Sequence, residues 1–205
     1  MIEYELDQLP FLTAEIPGIG GQVKQTADDF IVEEIPLYQP AGQGEHLFVN
    51  LRRSNMTTRS VQQKLAELFQ IDPGQIGYAG MKDRIARVTQ TFSLTGVTAE
   101  QAKLIESKLG LEVLDVRPHH NKLKLGHLAG NHFEIIIRLT SGDTVAAYRT
   151  VESILSRVKT RGMFNYFGPQ RFGLEQDNHL QGRRLIKESH ATRKWPSRWK
   201  SSLLI

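Results

Sequence analysis

The segment Phe133-Glu134-Ile135-Ile136-Ile137-Arg138-Leu139 sets Phe133, Ile135, Ile137 and Leu139 on one side of an extended chain. A face of that size needs neighbouring strands and an apolar layer to meet, so the run is expected at the centre of a sheet. Shorter segments of the same kind precede it. Phe30-Ile31-Val32-Glu33-Glu34-Ile35 reads as a strand closing at Pro36, and His46 to Arg52 sets Leu47, Val49 and Leu51 against Phe48, Asn50 and Arg52. Tyr38-Gln39-Pro40-Ala41-Gly42-Gln43-Gly44 between them is turn material, which predicts a β-hairpin with a long loop.

Helical periodicity interleaves with these strands. Thr57 and Thr58 offer caps before Val61, Leu65, Leu68 and Phe69, which share one helical face. Thr98-Ala99-Glu100-Gln101 has capping-box spacing, and Gly110 suits the end of the helix it starts. A third helix is expected from Ser141 or Asp143 to Gly162, with Val145, Tyr148, Val151, Ile154, Leu155 and Val158 turned inward. No linker, low-complexity tract or internal repeat separates these segments, so the expected class is α+β: a mixed, largely antiparallel sheet flanked by helices.

With no cysteine, disulfide scaffolds, zinc ribbons and thiol chemistry are excluded. No apolar run approaches the roughly 20 residues a membrane span needs, and the start Met1-Ile2-Glu3-Tyr4-Glu5-Leu6-Asp7 lacks the basic and apolar regions of a signal peptide. A cytoplasmic location away from membranes is the expectation. The net charge of +4 is lopsided: residues 157–205 carry 11 Lys+Arg against 3 Asp+Glu. Such a patch suits a nucleic-acid partner, although a solvated helical surface accounts for it equally well. His119-His120, His127 and His132 match no zinc spacing, so no metal is expected.

Chemistry concentrates in Gly77-Tyr78-Ala79-Gly80-Met81-Lys82-Asp83-Arg84, between the turn Asp72-Pro73-Gly74 and a strand expected from Val88 to Leu94. Its two glycines permit a tight or positive-φ backbone. A carboxylate set between Lys82 and Arg84 is favoured in its charged form and suits nucleophilic or general-base work. A solvated surface turn is the competing reading of the same spacing.

That stretch, followed by Thr89-Gln90-Thr91-Phe92-Ser93, resembles the catalytic signature of the TruD family of tRNA pseudouridine synthases. Three further blocks agree. Lys24-Gln25-Thr26-Ala27-Asp28-Asp29-Phe30-Ile31-Val32-Glu33-Glu34 is similar to the family's N-terminal motif, Gly130-Asn131-His132-Phe133 to its second, and Asn165-Tyr166-Phe167-Gly168-Pro169-Gln170-Arg171-Phe172-Gly173 to its longest. The resemblance implies a cofactor-free isomerisation of a tRNA uridine, at position thirteen, in which uracil is detached from C1′, turned and rejoined through C5. Asp83 takes the role of the family's catalytic aspartate, as nucleophile or as base. Phe133 and Phe30 become the faces that hold the flipped base, with Asn131 bonding the uracil edge. Periodicity alone would put both phenylalanines in the core. Lys24, Lys82 and Arg84 hold phosphates or tune Asp83, and Gln170 and Arg171 contact RNA among aromatic residues. Arg183, Arg184 and Lys187 extend the basic surface. Asp28, Asp29, Glu33 or Glu34 could instead fold beside Asp83 as a second carboxylate. A monomer is expected.

Family members are longer. On that comparison, residues 1–160 are a catalytic domain lacking a C-terminal return segment, and residues 161–205 are the start of an inserted domain. The chain's apolar ending, Trp195 to Ile205, is read as a missing continuation. Asp83 is then positioned while tRNA affinity is weak and turnover low, and the alternative is a truncated, catalytically impaired RNA-binding domain of the same fold.

Overall fold

Thr57 opens the first helix by accepting the Ser60 N–H at 3.0 Å, and Gln70 closes it in a left-handed conformation, φ 53°. In this computed structural model, which describes residues 11–139, 142–164 and 177–192, that helix is α1, Thr58–Phe69. Its Val61, Leu65 and Ala66 are buried, as the apolar spacing requires. Thr98 caps α2 (Ala99–Ala102), and α3 (Leu104–Leu109) ends at Gly110, φ 64°.

Among the described residues six strands form one sheet: β1 (Phe30–Pro36), β2 (His46–Ser54), β3 (Ile76–Tyr78), β4 (Arg87–Thr95), β5 (Glu112–His119) and β6 (Leu128–Ile135). The order is β5-β2-β4-β1-β6, with β3 also on β4. Among the described residues only the β1/β4 pair is parallel. The architecture is therefore the expected α+β one, with a mostly antiparallel sheet and flanking helices.

Strand β4 organises the site. One edge pairs with β2 from Arg87 to Thr95. The other is divided: β1 takes Arg87–Thr89 and β3 takes Phe92–Leu94. At Gln90 and Thr91 the edge stands open between two strands that belong to different parts of the chain. The expected β1/β2 hairpin is thus corrected, because β4 lies between the two strands. Turn residues at 38–44 reverse the chain equally well whether or not a third strand enters the gap.

On one sheet face Leu47, Val49, Leu51, Phe92 and Leu94 pack with Val61, Leu65, Ile105 and Leu111. On the other, Phe48, Ala79 and Leu123 meet Tyr38 and Leu128. Strand β6 differs from expectation. It is an edge strand among the described residues, and its ladder ends at Ile135. Beyond it, the Ile136 N–H bonds the Asp29 carbonyl and Arg138 pairs with Gln22, so residues 136–138 follow the Ala27–Asp29 turn instead of extending the sheet. Phe133, Ile135 and Ile137 are each nearly half exposed. Helix α4, Thr144–Arg161, forms where expected and ends before Gly162, φ 75°, but none of its residues is buried. An apolar stripe states which face prefers cover and does not supply the cover. Helix α5 is Asn178–Thr192. The chain divides into two compact units, Gly18–Thr150 and Met1–Pro17 with Val151–Ile205, and the whole sheet belongs to the first.

The turn before β1 is pinned by charge. Arg138 grips the buried Asp29 carboxylate through Nε at 2.9 Å and Nη2 at 2.7 Å, and the Thr26 N–H adds a third bond at 3.0 Å. The guanidinium bonds, then the Thr26 backbone, hold the Asp29 carboxyl below its ordinary 3.8, at about 2. The stabilisation is therefore complete above pH 4 and is lost as pH falls through the interval from 3.8 to about 2. Urea midpoints measured from pH 6 to pH 2 should decline more steeply below pH 4 in the wild type than in Asp29→Asn, and parallel curves would remove the assignment.

Candidate active site

The loop that carries Asp83 leaves β3 at Tyr78 and crosses the open stretch of β4. Gln90, on β4 where the edge is unpaired, donates from Nε2 to the Gly80 carbonyl at 2.7 Å. The Lys82 N–H donates to Thr58 Oγ1 at 3.0 Å, and that hydroxyl donates to Gln90 Oε1 at 3.1 Å. Arg53 closes the network by donating from Nη2 to both Thr58 Oγ1 (3.1 Å) and Gln90 Oε1 (3.2 Å). Burial lowers the Arg53 pKa to about 10. Two points on the loop backbone, at 80 and 82, are thus fixed to α1 and the sheet immediately before Asp83. Of the two conformations the glycines permit, neither Gly77 nor Gly80 takes the positive φ. Gly77 is needed for space: a Cβ there would lie 2.1 Å from the Leu123 carbonyl oxygen and 2.5 Å from Ser93 Oγ.

Of the cations named for Asp83, Lys24 meets it and the chain neighbour Lys82 does not. Asp83 is paired at 3.0 Å with Lys24, 59 residues away, and both side chains are about one-third exposed. Lys24 holds an unusual backbone, φ 57°, between the Gln22–Arg138 bridge and the Thr26–Asp29 bond. Its ammonium also lies 3.8 Å from the centre of the Phe30 ring. Lys82, expected to hold phosphate or tune Asp83, is buried. Its Nζ meets Glu34 Oε2 at 2.9 Å and Asn131 Oδ1 at 2.6 Å. Glu34 in turn accepts the Thr91 N–H, the group left unpaired by the divided edge, at 3.3 Å. Arg84 is exposed and makes no ion pair among the described residues.

Asn131 and Phe133 stand on β6 in register with Glu34 and Val32 of β1, on one sheet face. The Phe30 and Phe133 rings are 5.9 Å apart and inclined at 58°. Phe133 is 48% exposed, so the core reading suggested by its periodicity does not hold. Because Asn131 Oδ1 accepts from Lys82, its amide N–H groups are the ones left to offer. Of the four candidates for a second carboxylate, Asp28 pairs with Arg87, Asp29 with Arg138 and Glu34 with Lys82, while Glu33 is exposed on the sheet face opposite Glu34. Gln170 and Arg171 lie outside the described residues. Arg183, Arg184 and Lys187 are exposed on α5. No group of three metal-binding side chains occurs among the described residues.

The sequence reading missed the supporting network of Arg53, Thr58 and Gln90. It left a trace all the same. Gln90 interrupts the buried series Val88, Phe92, Leu94, and Arg53 ends the series Leu47, Val49, Leu51. Polar residues at apolar positions of paired strands are expected to find each other.

The fold has a solved counterpart: a Methanosarcina mazei crystal structure assigned to tRNA pseudouridine synthase D superposes with a TM-score of 0.76 at 28% identity, covering 90% of this chain and 42% of that one. The fold is thus that of a pseudouridine synthase. The family model described as tRNA pseudouridine synthase D (TruD) matches residues 8–193. Relatives bearing that name include a Geobacter metallireducens protein, 44% identical over 86% of this chain and 43% of its own length. A Thermus thermophilus relative is 41% identical over 89% of this chain and 50% of its own length. The chain belongs to the TruD family. It spans about half the length of the curated relatives it matches.

Proposed function

We propose that this chain converts a uridine of tRNA, at position thirteen by family resemblance, into pseudouridine, with Asp83 as the reacting carboxylate. The supporting observation is the Asp83 carboxylate itself, held on a loop bonded at residues 80 and 82 and paired with Lys24, whose ammonium lies on the partly buried Phe30 ring next to the half-exposed Phe133. Uridine must leave its stack to reach it, at a cost of a few kcal/mol. Stacking against Phe133 and Phe30 offsets that at roughly 1–3 kcal/mol per base. The amide N–H groups of Asn131 suit the uracil carbonyl oxygens.

The isomerisation breaks the C1′–N1 bond, turns the uracil, forms C1′–C5 and transfers the C5 proton away as N1 gains one. No redox partner or metal is required for that balance. Asp83 serves it by attack on the nucleoside or by taking a proton, and both roles need a positioned carboxylate. Incubation of the 205-residue chain with unmodified tRNA transcript, followed by chemical derivatisation, tests the reading, because product and substrate have equal mass. A single new pseudouridine is the expected result. Binding of tRNA without conversion would overturn the catalytic reading.

A further inference from the structure

Two of the histidines that matched no metal spacing, His119 and His127, converge with His46 and two lysines on one concavity of the Gly18–Thr150 unit. It has a volume of ≈ 720 Å³ and is lined by Tyr38, Gln39, His46, His119, Asn121, Lys122, Lys124 and His127, with no carboxylate among them. The rings are held in place. Tyr38 stacks on His119 at 5.1 Å and its hydroxyl meets His127 Nδ1 at 2.9 Å, while Phe48 backs His119 at 4.8 Å. The Ala41 N–H donates to His119 Nδ1 at 3.1 Å, so a neutral His119 carries its hydrogen on Nε2. Lys122 donates to the Gly74 carbonyl, and Lys124 is exposed with no ion pair among the described residues.

An adjoining crevice shares Tyr38, Gln39 and His127 and is lined also by Glu34 and Asp115. Those two carboxylates are already matched, Glu34 to Lys82 and Asp115 to Arg117 at 2.9 Å each, so they do not cancel the lysines. The segment that supplies Asn121 to His127 is tied to the Asp83 loop by the Gly126 N–H, which donates to the Ala79 carbonyl at 2.8 Å, and to β4 by the Leu123 N–H, which donates to Ser93 Oγ at 2.9 Å.

We propose that this concavity seats a backbone phosphate of the RNA strand whose nucleotide reaches Asp83. The proposal rests on the tRNA reading above. Imidazole N–H and ammonium donors without a competing carboxylate suit a phosphodiester oxygen, and such contacts set register on the strand without reading its sequence. The site makes the strand's position depend on the same loop that carries the carboxylate.

Two measurements test it. Binding of a tRNA transcript is followed by fluorescence anisotropy across a potassium chloride series, for the wild type, Lys124→Gln and, as a control for general charge loss, Lys108→Gln on α3. Lys124→Gln should weaken binding about three- to tenfold at 0.1 M salt and lower the log–log salt slope by about one, with a clearly smaller effect from Lys108→Gln. In parallel, inorganic phosphate is titrated into the wild type while the imidazole resonances of His46, His119 and His127 are observed. Their selective, saturable shift is expected. Equal effects of the two lysine variants, with no histidine shift, would overturn the site and leave the tRNA reading standing. Histidine shifts in a protein that binds no tRNA would overturn the RNA occupant and leave a site for free phosphate.

Discussion

Asp83→Asn should reduce pseudouridine formation at least 10³-fold while leaving tRNA affinity within about twofold. The substitution keeps the size and most hydrogen bonds of the side chain and removes the charge that attacks or accepts a proton. General-base contributions alone are worth 10² to 10⁴, and removal of a nucleophile is worth more. Folding should be nearly unaffected. The Lys24–Asp83 pair is about one-third exposed on each side, and pairs of that kind contribute roughly 0–1 kcal/mol. Lys24→Met should show a smaller loss, concentrated in kcat, since it frees the carboxylate without discharging it. Single-turnover assays with derivatisation mapping separate the cases. Residual activity within tenfold of wild type in Asp83→Asn would remove the carboxylate from the reaction.

What the sequence revealed and what it hid follow from the range of each interaction. Caps at Thr57, Thr98 and Gly110 are local, involving residues within four positions, and were legible. Strand β5 was not, because its alternation is broken by a register shift opposite Asn50/Leu51, it exposes Leu114 and it contains Pro118, which an edge strand tolerates. The insertion of β4 between β1 and β2 is decided by partners some 55 residues apart, and no turn residue encodes it. In the site, the Asp83 loop was legible only as a motif. The resemblance named Lys24, Phe30, Asn131 and Phe133, but their geometry depends on pairings such as Lys24–Asp83 and Lys82–Asn131. Adjacent residues were a poor guide to charge pairing: Lys82 neighbours Asp83 along the chain and turns to Glu34 in space.

That last pair carries the second large effect. Glu34 and Lys82 are each 3% exposed in their side chains and sit where β4 changes partner. Glu34→Ala would leave the Lys82 ammonium buried with only the Asn131 amide, and would also orphan the Thr91 N–H. Breaking a buried ion pair from one side costs about 3–5 kcal/mol, which corresponds to a fall in Tm of roughly 10 °C for a chain of this size. The double replacement Glu34→Leu with Lys82→Met removes both charges and keeps apolar volume, so it should recover most of that stability. It should not recover activity, because Asn131 would lose the partner that fixes its amide. Thermal melts and pseudouridine assays on the three proteins make the comparison. If the double variant were as unstable as Glu34→Ala, the cost would lie in packing at the divided edge and not in an uncompensated charge.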